Sequence, residues 1–149
     1  DINVGTLRKE GYKAALRAHG LEVDDRLIVV GDFEYPSGER GAQRLMEGFS
    51  LGERPTAIFC IADRLAVAAS AWLQGHGYRV PDEVSVACVD DPAIMSYVQP
   101  SITTMGFDYH QMGILAGNMI IQSIGGQLAP GAEIVMPWTL IERSSVATL

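Results

Sequence analysis

The sequence predicts an α/β fold built on a doubly wound parallel sheet, and three observations carry that prediction. Short apolar runs at 27–30, 56–61 and 84–89 are continuous instead of alternating, as parallel strands covered on both faces read. Segments with helical spacing separate these runs, so strand and helix alternate in the manner of right-handed βαβ units. Two of the runs end at carboxylates, Ala62-Asp63 and Asp90-Asp91, at the carboxyl ends of strands where open parallel sheets form ligand crevices.

Each element has a local reason. Thr6 is expected to cap a helix over 7–19 whose apolar residues Leu7, Ala14, Ala15, Leu16 and Ala18 favour one face, with Gly20 as the stop. The run 27–30 is the first strand, and Gly31-Asp32-Phe33 opens the loop after it. Ser37 caps a second helix to about 49, and 52–55 turn into the strand 56–61. Asp63 caps a third helix to 76, closed by Gly77, before the strand 84–89. A helical turn follows Pro92, and 102–105 form a brief strand. Asp108 caps a long helix to about 124, with Met112, Leu115, Ala116, Met119 and Ile120 at helical spacing. Gly125-Gly126 end it, and 133–136 and 139–142 read as two last strands split at Pro137.

Composition narrows the function classes. At 149 residues and 48% apolar content the chain is long enough for one buried core. No apolar run approaches the ~20 residues of a membrane span. The first residues lack the basic start and apolar run of a signal peptide. A net charge of −7 opposes nucleic-acid binding, which draws its affinity from basic residues on phosphates. Cys60 and Cys88 lie inside strands without metal-site spacing and read as buried free thiols of a reducing compartment. The three histidines have no metal-ligand spacing, and no nucleophile elbow, Walker or GxGxxG pattern occurs. No cofactor is therefore expected. His19 and His76 stand at helix C-termini, where the helix dipole favours them.

Six pieces occur in order: Arg8-Lys9-Glu10-Gly11-Tyr12; Val30-Gly31-Asp32-Phe33; Pro55 to Cys60 with Asp63-Arg64-Leu65-Ala66; Gly77 through Val86, including Val80-Pro81-Asp82-Glu83; Asp90-Asp91; and Pro100 with Ile102-Thr103-Thr104. Together they resemble the effector-binding core of LacI-type bacterial transcriptional regulators, a type I periplasmic-binding-protein-like fold, along essentially the whole chain. The chain starts almost inside its first helix, with no strand ahead of it, and is aligned with the C-terminal half of that core. The resemblance thus implies that 1–104 form most of the C-terminal subdomain, that 105–136 return to the N-terminal subdomain, and that 137–149 supply a final strand and tail. The first half of the core and an N-terminal helix-turn-helix would lie outside this sequence.

The resemblance also implies roles. Two subdomains close on a small effector, and closure controls operator binding by the helix-turn-helix. The guanidinium matching Arg8 grips hydroxyls or a carboxylate. The aromatic matching Phe33 stacks on the ligand, and the carboxylate matching Asp90 accepts from hydroxyls or amines. Asp63 and Phe107 complete the expected effector set, Asp63 chiefly as a helix cap. A twofold dimer interface is implied on the helix 64–72 and the segment 94–98, through Leu65, Val67, Ala68, Ile94, Tyr97 and Val98. Three departures from the family pattern, Ala62 before Asp63, Cys88-Val89 before the acidic pair and Gly106-Phe107 after the threonines, imply a pocket less polar than a hexose site. Within the sugar, sugar-derivative and related-metabolite effectors that the resemblance implies, this argues against a simple sugar and leaves a sugar derivative, a nucleoside or another small metabolite. The expected protein is a cytoplasmic repressor core. Its rivals are a periplasmic solute-binding protein of a transporter and a small α/β enzyme using Asp90, Asp91 and His110.

Overall fold

The runs around Val86 and Cys88 fold as their continuous hydrophobicity requires, with both side chains wholly buried at the middle of the sheet. The computed structural model describes residues 4–148. Its elements are α1 (Val4–Ala18), α2 (Tyr35–Glu47), β1 (Ala57–Cys60), α3 (Asp63–Gly75), β2 (Ser85–Val89), β3 (Thr103–Gly106), α4 (Tyr109–Ile124) and β4 (Thr139–Ile141). Single 3-10 turns occupy Asp25–Leu27 and Ala93–Ser96. The four strands lie in the order β1-β2-β3-β4. β1, β2 and β3 are parallel, with Ile58 beside Val86 and Cys88 beside Thr104, while β4 runs antiparallel to β3 and sets Ile141 beside Thr104. The expected α/β fold is present, on a mixed sheet.

The core gathers where α3 covers β1 and β2. Leu73, Val84, Val86, Cys88, Met95 and Ile102 are sealed from solvent, and Ala42, Leu45 and Met46 of α2 pack onto the same cluster. α2 and α3 approach closely because Gly38 presents bare backbone: a Cβ there would lie 2.4 Å from the Leu65 carbonyl oxygen. α3 closes through Gly77, whose φ of +83° is the left-handed conformation glycine adopts without steric cost.

Several local expectations are corrected. The run 27–30 forms no strand, because a strand exists only through a hydrogen-bonded neighbour. Val30 is 88% exposed, and the run and β1 both line an open crevice instead of sharing a ladder. Residues 133–136 are likewise unpaired; Ile134 and Met136 lean on α4, lining a small gap with Met112 and Met119. Thr6 does not cap α1, since the helix is already formed at Val4. Glu34, not Ser37, is the N-cap of α2, with a proline in the helix's first turn, and Ser37 instead bonds the preceding loop. Ala62 is the N-cap of α3 and provides no side-chain bond, so Asp63 stands inside the first turn. Asp108 does cap α4, accepting from the Gln111 N–H at 2.9 Å. Neither α1 nor α4 buries a residue; Ile120, Ile121 and Ile124 of α4 are 61%, 69% and 84% exposed.

Candidate functional site

The carboxyl ends of β1 and β2 lie side by side and bring Asp63, Asp90 and Asp91 into one neighbourhood. All three charges act on the Cys88 thiol and on the Tyr109 phenol. Such a concentration of negative charge needs cations. Two arginines from distant parts of the chain supply them, Arg8 to Asp90 and Arg143 to Asp91.

Arg8 reaches in from α1. Its Nη1 donates to the Ile61 carbonyl at the end of β1 and sits 3.4 Å from Asp90 Oδ2, with the two side chains 20% and 28% exposed. The two groups that the resemblance puts on the effector thus stand face to face across the ends of α1 and β2. The main-chain contact anchors the guanidinium, and the long ion-pair distance leaves the carboxylate side loose. A ligand hydroxyl, amine or carboxylate can therefore exchange with one partner without stranding the other. Asp90 carries a φ of +75°, and its N–H donates to the Met105 carbonyl at 2.9 Å.

Phe33 is held by its own loop. Asp32 Oδ1 accepts from the Glu34 N–H two residues on, an Asx turn, and from the Ser37 hydroxyl at 2.5 Å. These bonds, the Ser37 hydroxyl first, hold the Asp32 carboxyl below its ordinary value of 3.8. With Asp32 fixed, Phe33 projects 43% exposed onto the crevice of about 460 Å³ that Lys9, Tyr12, Phe59 and Ile61 also line. Tyr12 stacks on Phe59 at 6.4 Å. Ile61 thus joins two regions: its carbonyl holds Arg8, and it also lines the wall that Phe33 overlooks.

Asp63 makes no ion pair among the described residues, and its charge in the first turn of α3 suits the positive end of the helix dipole. Phe107 packs against Tyr109 at 4.4 Å and edge-on to Trp138 at 4.8 Å; no ring contact joins it to Phe33 among the described residues. Tyr109 is the neighbour that sequence reasoning misses. Burial pushes its phenol upward, helped by the Asp90 charge and opposed by a backbone hydrogen bond from Asp91. Its only sequence signal is its position one residue beyond the Asp108 cap. Burial raises both cysteine thiols to about 12, which leaves them protonated and inert in the folded chain.

Of the residues expected at a dimer interface, Ile94 and Tyr97 are exposed, at 44% and 79%. Leu65, Val67 and Val98 are half-buried against the core, and Ala68 is 4% exposed, turned toward Gly38 of α2 and unavailable to a partner.

Known proteins share this fold. The periplasmic binding protein-like domain matches residues 3–146. The HTH-type transcriptional repressor PurR of Erwinia tasmaniensis is 34% identical over 145 residues, 97% of this chain and 42% of that protein. The HTH-type transcriptional regulator CelR of Thermobifida fusca is 30% identical over the same shares. A LacI-type transcription regulator from Bifidobacterium animalis subsp. lactis superposes with a TM-score of 0.88 at 33% identity, covering 98% of this chain and 51% of that one. The CelR–cellobiose complex superposes with a TM-score of 0.85 at 30% identity, covering 95% and 42%. The chain spans about half the length of these relatives or less. It belongs to the periplasmic binding protein-like domain family, in the form that LacI-type transcription regulators use as their effector-binding core.

Proposed function

We propose that this chain senses a small effector for a bacterial transcriptional repressor, with Arg8 and Asp90 taking its polar groups and Phe33 its apolar face. The observation that carries the reading is the Arg8–Asp90 pair, drawn together from α1 and the end of β2 with one partner anchored and the other loosely held. Asp63 and Phe107 complete the proposed effector set, supported by Tyr109, whose phenol feels the Asp63 charge and whose ring packs on Phe107. A sugar, a sugar derivative or a nucleoside fits these donors, acceptors and aromatic walls; the cellobiose named with CelR supports the first two. The relatives are regulators, which favours a binding role over an enzymatic one and a cytoplasmic setting over a transporter's. Among the described residues no helix is long and apolar enough to cross a membrane.

Operator binding belongs to a helix-turn-helix outside this acidic chain. Residues 1–104 act as one subdomain, 105–136 return to a second, and 137–149 supply the final strand and tail. Support comes from α4, whose uncovered isoleucines need a partner surface that the described residues do not supply. Homodimerisation uses the exposed Ile94 and Tyr97, with the half-buried Leu65, Val67 and Val98 adding apolar area to an isologous patch.

Calorimetric titration of a panel containing cellobiose, sucrose, other mono- and disaccharides and nucleosides tests the reading on wild type, Arg8→Ala and Asp90→Asn. One compound should bind wild type, and either substitution should weaken it by about 2–4 kcal/mol, because a partner group is left desolvated. Unchanged affinity in folded Arg8→Ala and Asp90→Asn proteins would overturn the assignment of both residues to the effector site.

A further inference from the structure

Asp90 is the single non-glycine residue with a positive φ among those described, at +75°. That region crowds a Cβ, so a residue there is held by its surroundings. The bond from its N–H to Met105 fixes one side. The other side is fixed through Asp91. Asp91 Oδ1 accepts from Arg143 Nη2 at 2.7 Å and from Thr104 Oγ1 at 2.8 Å. Arg143 is itself braced, because Nη1 donates to the Ile102 carbonyl at 2.7 Å and its backbone N–H donates to Thr103 Oγ1 at 2.9 Å. The Arg143 and Asp91 side chains are 14% and 21% exposed, more enclosed than Arg8 and Asp90. Gly106 completes the seat: a Cβ there would meet Asp91 Cβ at 2.8 Å and Ile141 Cδ1 at 3.2 Å. The adjacent carboxylates therefore have different tasks, Asp91 bonded inward to β3 and Arg143, Asp90 turned toward Arg8. No bond joins Arg143 to Arg8, Phe33 or Asp90 among the described residues.

We propose that Arg143 is a positioning residue: by clamping Asp91 onto β3 it drives the backbone through the left-handed conformation at Asp90 and presents that carboxylate beside Arg8. The inference deepens the effector reading and rests on it for what Asp90 meets. A planar fork matters here, because one guanidinium spans the Asp91 carboxylate, the Ile102 carbonyl and the Thr104 hydroxyl, which a lysine ammonium cannot match in geometry.

The test reads the Asp90 backbone directly. NMR couplings that report φ are measured at Asp90 in the isotopically labelled 149-residue chain, for wild type, Arg143→Gln, Arg143→Lys and Asp91→Asn. In Arg143→Gln the Asp90 φ should leave the positive region or average across regions while the β1 and β2 amide signals hold their places; Arg143→Lys should fall between. A folded Arg143→Gln that keeps φ near +75° overturns the proposal. If Arg143→Gln does not fold, the same readout on Arg143→Lys and Asp91→Asn decides, with an unmoved Asp90 in both overturning it. Titration with cellobiose and with adenosine adds the functional arm: a probe that binds wild type should bind Arg143→Gln roughly tenfold more weakly, about 1.4 kcal/mol. If wild type binds neither probe, the φ measurement alone decides the clamp.

Discussion

Replacing Gly38 by alanine sets two effects of opposite sign against each other. Within a helix, alanine is better than glycine by about 1 kcal/mol, so propensity alone predicts a more stable protein. The site predicts the reverse. The new Cβ would lie 2.4 Å from the Leu65 carbonyl oxygen and 2.9 Å from both Leu65 Cα and Ala68 Cβ, and two of those atoms are backbone of α3. No rotamer relieves a contact with backbone, so α2 and α3 must part by roughly 1 Å to regain ordinary separation. Parting loosens Ala42 and Leu45 against Ala66 and Ala69 in the same core. Overpacking costs about 1–3 kcal/mol, and backbone contacts put this case at the upper end. The net expectation is a loss of about 2 kcal/mol, which lowers Tm by about 4–8 °C in a chain of this size. Gly41→Ala is the internal control: it makes the same change in the same helix with nothing within 4 Å of the new Cβ, and should gain about 0.5–1 kcal/mol. Urea unfolding of the three chains measures both. A Gly38→Ala protein as stable as wild type, beside a stabilised Gly41→Ala, would refute the close approach of α2 to α3.

Other expectations follow from single groups. Neither Cys60 nor Cys88 should react with a thiol reagent in folded protein at pH 8, and both should react in urea. Their folded values near 12 exceed the ordinary 9.0, so their stabilising share is complete below pH 9 and lost as pH rises toward 12; rapid labelling of folded protein would contradict the burial. Ser145→Ala should cost about 1–3 kcal/mol by thermal unfolding, because the wholly buried hydroxyl accepts from the Thr103 N–H at 2.8 Å and donates to the Val86 carbonyl, and both partners would be stranded. Asp32 should titrate below 3.8 by carbon-detected NMR and return toward that value in Ser37→Ala. Since its folded value is depressed, the stability it contributes is present above 3.8 and disappears as pH falls through the lower folded value; a midpoint at or above 3.8 in wild type would remove the Asx turn as the device that holds Phe33.

What the sequence determined by itself is what short-range physics controls. The strands at 57–60 and 85–89 announce themselves by unbroken hydrophobicity, although Ala57 and Phe59 of the first strand turn out to face the open crevice instead of a covering layer, and α3 and α4 show in their spacing and the cap at Asp108 in its side-chain chemistry. The acidic pair after the 84–89 run is legible because a strand's end is a local event. Tertiary structure alone decided everything that needs a distant partner. The apolar run at 27–30 has the composition of a strand but no ladder, since its hydrogen bonds depend on where β1 lies. Asp63 has the chemistry of a cap, yet the backbone enters α3 at Ala62. Arg8 meets Asp90 directly, and Arg143 brackets Asp91, across separations in sequence that no periodicity encodes. The division follows from range: propensity, capping and hydrophobic pattern act over one or two turns, whereas an ion pair or a sheet ladder is fixed only when folding has paid the entropy of bringing its two halves together.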